Sequence, residues 1–547
     1  MKGKLFSAIL AASVGLTLVH SLLFSVPGMA PPDEDPQLFK TSAACLSCHN
    51  GLVSPSGEDI SIGTDWRASM MANSARDPYW QAAVRRETID HPAAATDIED
   101  ECAACHMPMS RFEARADGDK GQVFAHLPIG QKTGLTDDLA ADGVSCTMCH
   151  QITAENLGDE ESFTAGFVID TQAPLGQRSV FGPYDVNAGL RTIMHSASGF
   201  RQEESPHIQQ SELCATCHTL ITEALGPEGE VVGELPEQVP YLEWRHSAYR
   251  EEQSCQSCHM PVVPGSTAIS SVLGQDRTDV SRHVFQGGNF FMLRMLNRYR
   301  AELGVQALPN ELETAAQRTE NHLQSNTARL SIEHVEREQD ALTIDVRLEN
   351  LAGHKLPTGY PSRRSWIHFA VHDPNGDIVF ESGRIQPTGE IAGNDNDDDP
   401  ARYEPHYQEI TQPGQVQIYE SVIVDLQGRV TTGLLSGVRF VKDNRLLPKG
   451  FDAASASEAI AVHGQAQEDA NFVGGSDTVR YVVDVSGKKG PFTVQAALWY
   501  QPIGYRWAHN LKSYDALETN RFVDFFDSMA DISGILITSE EVVIPSL

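Results

Sequence analysis

The pattern Cys-x-x-Cys-His occurs five times in this sequence, and its copies use every one of the ten cysteines. Two thiols separated by two residues can each add to a vinyl group of the same haem, and the histidine that follows can then bind the iron. The pattern therefore predicts five covalently attached c-type haems. The residues of the five motifs are Cys45, Cys48 and His49; Cys102, Cys105 and His106; Cys146, Cys149 and His150; Cys214, Cys217 and His218; and Cys255, Cys258 and His259.

Other uses of these cysteines fit the pattern less well. Disulfides do not need a histidine after every second cysteine, and a thioredoxin-like motif is expected once, near a βαβ pattern. Structural zinc takes four ligands from paired Cys-x-x-Cys units, and ten cysteines with five adjacent histidines exceed any set of such sites. Haem attachment is the interpretation that uses all of these residues.

The motif histidines are the predicted proximal iron ligands, so any sixth ligand has to come from elsewhere. Two candidates lie shortly before a motif, and a third is followed closely by two glycines, which would let the backbone approach a flat ring. For each candidate the alternative is a histidine at the surface, or a buried histidine that only makes hydrogen bonds in the core. The candidate distal ligands are His207, His246, His283, His354, His126 and His195.

His354 differs from the other candidates because it lies far downstream of the motifs, in a stiff loop rich in glycine and proline. It would cap a haem from another part of the chain, and the alternative is a loop histidine bonded to the backbone. Met70 or Met71 is an alternative ligand that would raise the potential of a haem. His322 lies among polar residues of a predicted helix, so we expect it at the surface.

A second metal site is suggested by the segment Asp395-Asn-Asp-Asp-Asp. Carboxylates at alternate positions, Asp395, Asp397 and Asp399, suit calcium, which binds many oxygen ligands. The segment lacks the glycine and the final glutamate of an EF-hand loop. A solvated acidic loop is the alternative to calcium binding.

The charge of the chain restricts its partners. It has 547 residues with 74 acidic and 41 basic side chains, for a formal net charge of −33. Nucleic acid is excluded as a natural partner, because phosphate binding needs a basic face. Such a charge would steer in a basic redox protein, or it would serve only solubility or life in salty water. The sequence does not indicate the oligomeric state.

The first thirty residues have the features of an export signal. Lys2 and Lys4 precede a mostly apolar stretch, and Gly28-Met-Ala30 resembles a small-residue cleavage site. The apolar stretch is nearly long enough to span a bilayer, and Pro31 would follow the cut, so an uncleaved membrane anchor is the alternative. Either outcome places the protein in the periplasm or at the outer cell surface, where c-type haem is attached.

The spacing of apolar residues changes near residue 328. All motifs precede this point, and helical spacing of apolar residues follows them from Asn289. Beyond it, short alternating segments such as Trp366–His372 and Phe492–Tyr500 are separated by turn signals, which is typical of a β-sandwich. We predict a signal or anchor over 1–30, a pentahaem domain of loops and short helices over 31–287, a helical bridge over 288–327, and an immunoglobulin-like β-sandwich over 328–547.

Several segments resemble the multihaem cytochromes of the c-554 and c-552 group, in patches over residues 40 to 365. The resembling segments are Asp142-Gly-Val-Ser-Cys-Thr-Met-Cys-His, Glu243-Trp-Arg-His-Ser-Ala-Tyr, Cys255-Gln-Ser-Cys-His-Met-Pro, Arg282-His-Val-Phe-Gln-Gly-Gly and Gly353-His-Lys-Leu-Pro-Thr-Gly-Tyr-Pro-Ser-Arg. The resemblance implies electron transfer outside the cytoplasm. In the group, Trp-x-x-Ser-x-His often supplies a distal ligand, but Met71 and Tyr249 stand at the histidine position here.

The residues favour an electron carrier that exchanges electrons with other redox proteins. Related pentahaem nitrite reductases replace one motif histidine with lysine, and no such replacement occurs here. The resembling group can nevertheless include a five-coordinate haem. The alternative is therefore an oxidoreductase that acts on a small nitrogen or sulfur compound at a haem with an open sixth position, and no catalytic residue is assigned.

Overall fold

Short helices joined by loops make up the first half of the chain. The computed structural model describes residues 37–174 and 176–546, so the predicted signal or anchor lies outside the described residues. We call residues 38–287 the haem region. Its helices are α1 Ala43–Leu46, α2 Ile62–Arg67, α3 Pro78–Asp90, α4 Ala95–His106, α5 Pro108–Ala116, α6 Leu135–Ala141, α7 Cys146–Cys149, α8 Ala188–Ser198, α9 Ser211–His218, α10 Pro240–Arg245 and α11 Cys255–His259.

Three small two-stranded sheets and several 3₁₀ turns complete the haem region. The sheets pair β1 with β2 in parallel, and β3 with β4 and β5 with β6 in antiparallel orientation. The strands are β1 Ser179–Gly182, β2 Arg201–Glu204, β3 Leu220–Leu225, β4 Val231–Gln238, β5 Thr267–Ala268 and β6 Asp276–Arg277. The 3₁₀ turns of this region are Ser74–Arg76, Pro92–Ala94, Phe124–His126, Glu160–Ser162, Pro206–Gln209 and Ala248–Glu251.

Two helices, α12 Phe290–Arg298 and α13 Pro309–Asn326, connect the haem region to the strands that follow. Helix α13 starts with a proline at its first position, which is compatible with the helix because the first N–H has no intrahelical acceptor. Glu311 accepts a hydrogen bond from the backbone N–H of Leu308 at 2.9 Å. Among the described residues, no helix is long and apolar enough to cross a membrane.

The strands after residue 327 form two larger sheets and one smaller sheet. We call residues 328–546 the β region. One sheet has the order β10-β9-β17-β18 with β12 beside β9, the second has β11-β16-β8-β7, and the third has β14-β13-β15. The strands are β7 Ala328–Arg337, β8 Ala341–Asn350, β9 Arg364–His372, β10 Ile378–Ser382, β11 Glu409–Ile410, β12 Ile418–Tyr419, β13 Ser421–Val424, β14 Val430–Thr431, β15 Arg439–Asp443, β16 Ser476–Asp484, β17 Phe492–Gln501 and β18 Ile535–Ile544.

Short helices interrupt the strands of the β region. They are α14 Asp395–Asp398, α15 Tyr505–His509 and α16 Leu517–Asp527, with 3₁₀ turns at Glu458–Ile460, Gly464–Glu468, Asn510–Ser513 and Ala530–Ile532. Helix α16 packs its phenylalanines inward, and Phe522 lies 5.0 Å from the ring of Tyr79 in the haem region.

The two larger sheets bury their alternating apolar side chains against each other. Strand β8 alternates buried and partly buried residues along its whole length, as expected when one face of a strand meets the core. Phe369 of β9 and Tyr481 of β16 stack between the sheets, with ring centres 3.8 Å apart and planes within 13°. The β region therefore contains two sheets packed face to face.

The same apolar core continues out of the β region. It includes Phe291 and Leu296 of α12, Leu312 of α13, and Tyr79 and Val239 of the haem region. Residues from Leu38 onward accordingly form one compact unit. Secondary structure changes at the predicted boundary, where α13 ends at Asn326 and β7 begins at Ala328, but the packing is continuous across it.

Candidate haem sites

Each Cys-x-x-Cys-His motif lies on a helical turn. Helices α4, α9 and α11 end on their motif histidines, α7 begins and ends on the cysteines of its motif, and α1 carries Cys45. In the first motif, the N–H groups of Cys48 and His49 both donate to the carbonyl of Cys45 at 3.1 Å. Residues three apart on a helix share one face, so both thiols of a motif point to the same side.

Four motif histidines are held in the tautomer that leaves Nε2 free. The Nδ1–H groups of His49, His106, His150 and His259 donate to backbone carbonyls at 2.7, 3.2, 2.6 and 2.5 Å, respectively. The acceptors are the carbonyls of Ile269, Ser74, Phe181 and Gln286. Metal-ligating histidines characteristically donate their second nitrogen in this way, which fixes the ring and its tautomer. The fifth motif histidine, His218, has no such bond within the described residues.

Burial keeps several of these imidazoles neutral, which is the form that binds a metal. It lowers the pKa of His106 and of His218 to about 4. It also lowers the pKa of His150 and of His259, although a backbone carbonyl opposes the effect in both. The chemistry, burial and orientation of the motif residues therefore fit covalently attached haem.

Two of the predicted distal histidines face a motif histidine at the separation expected across an iron. His283 lies opposite His150, with ring centres 6.3 Å apart and planes within 22°. His354 lies opposite His259, at 6.2 Å and within 16°. A metal–imidazole bond is about 2 Å long and the ring centre lies about 1 Å beyond the nitrogen, so trans imidazoles have centres about 6 Å apart.

The orientation of His354 also leaves its Nε2 free. Its Nδ1–H donates to the carbonyl of Lys355 at 2.9 Å, which repeats the arrangement of the proximal histidines. Burial lowers the pKa of His354 and also lowers that of His283, to about 3. Both rings are thus neutral imidazoles that face a second neutral imidazole.

The cysteines of different motifs lie side by side. The sulfur of Cys45 lies close to that of Cys146, and the sulfur of Cys214 lies close to that of Cys255. Cys105 likewise contacts Cys217. These contacts join the first motif to the third, the second to the fourth, and the fourth to the fifth.

The third motif is close to the fourth, because Cys149 lies near both cysteines of that motif. The cysteines of the five motifs therefore form a continuous series in which the fourth motif lies near three others. A series of neighbouring redox centres is the arrangement that a relay of electrons needs.

The structure places the remaining distal candidates in other surroundings. His207 is buried, and its Nδ1 and Nε2 bond to the hydroxyl of Ser205 and the carbonyl of Ile152 at 2.6 and 2.8 Å. His126 bonds through both nitrogens as well, to Ser110 and Asp137 at 2.9 and 2.8 Å. In neither residue is a nitrogen left for iron in this conformation.

His195 and His246 each use one nitrogen on a backbone carbonyl. The Nε2–H of His195 donates to Gly176 at 2.7 Å from an exposed position on α8. The Nε2–H of His246 donates to Asp452 at 2.8 Å, which directs this ring toward the β region. Neither ring stacks opposite a motif histidine.

His322 is the histidine that sequence reasoning placed wrongly. Its ring centre lies 6.5 Å from that of His259, with the planes tilted by 50°. The polar face of α13 was expected to meet water, but it meets the haem region through ion pairs such as Arg67–Glu311 and Arg318–Asp65. Helical spacing indicates that His322 shares a face of α13 with Arg318. It does not indicate that the haem region covers this face.

Three motif histidines, His218, His49 and His106, have no second imidazole stacked opposite them within the described residues. Trp80 instead covers the ring of His106, with ring centres 4.4 Å apart.

The fourth motif has a positively charged side chain beside its histidine. Arg363 lies near His218 and donates to the carbonyl of Thr358 at 2.8 Å. No carboxylate of the described residues pairs with Arg363. The environment is therefore cationic and holds no imidazole opposite His218.

Buried acidic and phenolic groups lie beside the second motif. Burial raises the pKa of Glu237 to about 7 and also raises that of Glu87, and both carboxylates lie near Cys102. Tyr360 lies close to both carboxylates and to Tyr79. Met70 packs against the main apolar core, whereas the Met71 carbonyl accepts a hydrogen bond from Val144 at 3.0 Å.

The carboxylates predicted to bind calcium do not converge. Asp397 is buried and accepts two hydrogen bonds from Arg364, at 2.8 and 2.9 Å. Asp395 pairs with Arg402, and Asp399 accepts from the N–H of Ala401 at 2.9 Å. This geometry does not support the calcium prediction. The segment forms a short helix, α14, and each of the three carboxylates binds a different partner.

A buried cluster of His406, Asp469 and Asp477 has metal-ligating side chains, but its hydrogen bonds exclude a metal at Nε2. The Nδ1 of His406 accepts from the amides of Gln417 and Asn444 at 2.9 and 3.1 Å. Backbone N–H groups fix both amides by donating to their oxygens at 2.8 and 3.1 Å. His406 must then carry its proton on Nε2, which donates to Asp469 at 3.1 Å.

Comparisons with known proteins agree with the haem interpretation at the level of the fold. No protein-family model matches the sequence, and no curated protein sequence matches it. The structure is similar to the crystal structure of a penta-haem cytochrome c552 from Thermochromatium tepidum, with a TM-score of 0.53 and 16% sequence identity. The alignment covers 93% of this chain and 100% of that chain, so this chain shares its overall fold with a multihaem cytochrome c.

Proposed function

We propose that this protein is an exported multihaem c-type cytochrome that relays electrons through five covalently attached haems. The observation that carries the proposal is the pairing of His150 with His283 and of His259 with His354. Neutral imidazoles that face each other at about 6 Å are suited to hold one iron between them. Each haem supplies a one-electron redox centre. The contacts between cysteines of different motifs support a continuous relay.

The role of the β region follows from His354. We propose that the β region is an immunoglobulin-like sandwich. The strand orders β11-β16-β8-β7 and β10-β9-β17-β18 support this proposal, because they follow the D-E-B-A and C′-C-F-G orders of such a fold apart from the parallel pairing of β11. We infer that this sandwich caps the fifth haem. We propose residues 31–287 as the pentahaem domain and residues 288–327 as the helical bridge.

The location and partners that we propose rest on the sequence alone. An export signal or membrane anchor over 1–30 would deliver the chain to the periplasm or the outer surface, where the haems are attached. The net charge of −33 favours a basic redox protein as donor or acceptor. Association rates with such a partner should fall as the salt concentration rises.

Spectroscopy of single variants of the haem-loaded protein tests the proposal. Replacing His283 or His354 with alanine should open one iron, so each variant should gain high-spin absorbance and bind carbon monoxide at one haem per chain. His334→Ala, at an exposed position on β7, is the control and should leave the spectrum unchanged. An unchanged spectrum in both test variants would refute the imidazole pairs.

A second function, reduction or oxidation of a small nitrogen or sulfur compound, is favoured by the surroundings of His218. Arg363 could hold an anion there, since the described part of the chain offers it no carboxylate. Nitrite, hydroxylamine or sulfite should then change the high-spin bands, and Arg363→Gln should weaken the response to the anions nitrite and sulfite more than the exposed Arg384→Gln does. If none of the three compounds changes the spectrum, the catalytic function is refuted and electron transfer remains as the proposed function.

A further inference from the structure

Four buried charged side chains form a closed circuit beside His354. The Nζ of Lys355 lies 2.7 Å from Asp443, and Arg445 bonds to the same carboxylate at 2.9 and 2.7 Å. Arg445 also lies 2.9 Å from Glu243, and Glu243 accepts from the backbone N–H of Lys355 at 3.1 Å. Lys355 and Glu243 are both 0% exposed.

The circuit fixes the peptide that follows His354 from every side. The N–H of Lys355 is bonded to Glu243, its carbonyl accepts the Nδ1–H of His354, and its ammonium group is bonded to Asp443 and to the carbonyl of Ala461 at 3.1 Å. The carbonyl of His354 accepts from the amide of Asn350 at 2.8 Å. The direction of the His354 ring is therefore tied to the position of Lys355.

Glu243 is the member of the circuit that comes from the haem region. It lies on α10, between the fourth and fifth motifs, whereas the other three members belong to the β region. Its carboxylate also accepts from the hydroxyl of Thr358 at 2.5 Å. One carboxylate thus grips the His354 loop at two points, Lys355 and Thr358.

The surroundings of α10 press the same loop against the haem region. A Cβ atom at Gly353 would lie 3.3 Å from Trp244 and 3.5 Å from Tyr249, so the loop approaches these two side chains closely. The hydroxyl of Tyr249 donates to the carbonyl of Leu351 at 2.9 Å. Polar bonds and close packing converge on the loop that carries His354.

The charges of the circuit balance in pairs. Burial alone would raise the pKa of Asp443, but Arg445 and Lys355 hold it well below its usual range. Asp443 and Glu243 thus offset Lys355 and Arg445 in a place that water does not reach. Removing one charge from such a group leaves an uncompensated charge in the interior, which destabilises this arrangement and favours a shift of the loop that carries Lys355.

We propose that Glu243 is a positioning residue that holds His354 against the iron of the fifth motif, so that the buried circuit determines how firmly the sixth ligand is bound. This inference rests on the proposed ligation by His354. It assigns a role in the haem site to residues that do not touch the haem, Glu243, Lys355, Asp443 and Arg445.

The test uses Glu243→Gln in the full haem-loaded chain, which keeps the shape of the side chain and removes its charge. We expect high-spin absorbance and carbon monoxide binding at up to one haem per chain, and added imidazole should restore the low-spin spectrum. Thr358→Val removes one bond to Glu243 without changing any charge and should give a smaller change of the same kind. If Glu243→Gln does not yield haem-loaded protein, Thr358→Val decides the outcome.

Asp397→Asn is the matched control, because it breaks an equally buried pair with Arg364 in the β region that does not hold the His354 loop. An equal high-spin signal in this control, or unchanged spectra in Glu243→Gln and Thr358→Val, would overturn the inference. His354→Ala separates the two proposals. If it opens no iron, the ligation itself is wrong. If it opens one iron and Glu243→Gln does not, only the positioning role is wrong.

Discussion

His354 in the β region and His259 in the fifth motif face each other with ring centres 6.2 Å apart and planes within 16°. The two residues belong to segments that differ in every local respect, since one follows a β-strand and the other ends a short helix. Only the packing of the β region onto the haem region brings them together. His354 can therefore face His259 only when the β region is packed against the haem region.

The first prediction concerns the number of haems. Five complete motifs on helical turns should each bind one haem covalently when the protein is produced in a host with c-type maturation. Mass spectrometry should show five haem additions on the mature chain. Replacing Cys255 and Cys258 with alanine should reduce the number to four. Four or fewer additions on the fully matured unsubstituted chain would contradict the prediction.

Local sequence patterns predicted which helices and strands form, but they did not predict where these elements begin and what they pack against. Alternation predicted strands near Trp366 and Phe492, and both are present as β9 and β17, because a half-buried strand imposes that period on its own sequence. Helix α13 begins at Pro309 and uses Glu311 as its capping carboxylate. Boundaries depend on a few backbone bonds that composition does not reveal.

The residues around the haem motifs were predicted only in part. The motifs themselves carry their chemistry in five consecutive residues, whereas a distal ligand depends on long-range packing. His207 looked favourable by its distance along the chain, but Ser205 and Ile152 engage both of its nitrogens. Glu243 and Lys355 appeared in resembling segments without a role, because their partners, Asp443 and Arg445, lie far away in the sequence.

A second prediction compares two buried tyrosines of the β region. The hydroxyl of Tyr481 has no hydrogen-bond partner among the residues that the structure describes, whereas that of Tyr419 donates to Asp477 at 2.7 Å. Both side chains are 0% exposed. Tyr481→Phe should raise the free energy of unfolding by about 1 kcal/mol, and Tyr419→Phe should lower it by about 2 kcal/mol, because only the second change removes a bond to a charged group.

Chemical denaturation of the two variants measures this difference, and each serves as the control for the other since the atoms removed are identical. A loss of stability in Tyr481→Phe equal to that in Tyr419→Phe would show that the hydroxyl of Tyr481 is satisfied.

A third prediction concerns calcium. Because Arg364 already neutralises Asp397, and Asp395 pairs with Arg402, adding calcium or a chelator should leave the thermal unfolding midpoint unchanged. A ligand that binds only the folded state raises this midpoint by mass action, so the measurement is sensitive to a specific site. If calcium raises the unfolding midpoint and this effect disappears in Asp395→Asn, the calcium site exists and the prediction is wrong.

The fourth prediction concerns Glu237 and pH. Burial raises the pKa of this carboxyl to about 7 from a reference value of 4.5, and the nearby Glu87 and Glu101 act in the same direction. The hydroxyl of Thr222, which donates to it at 2.7 Å, opposes the shift. A carboxyl whose pKa is higher in the folded state favours folding at low pH, and that contribution is lost as the pH rises from 4.5 to 7.

The loss amounts to about 3 kcal/mol, since each pKa unit corresponds to about 1.4 kcal/mol. Glu237→Gln keeps a group that accepts from Thr222 but cannot ionise. Its stability relative to the unsubstituted protein should therefore rise by up to about 3 kcal/mol between pH 4 and pH 8. Guanidinium unfolding of the haem-loaded protein at the two pH values measures the change. Glu234→Gln, at an exposed position on the same strand, should show no such trend. A pH-independent difference for Glu237→Gln would mean that Glu237 ionises as readily in the folded protein as in the unfolded chain.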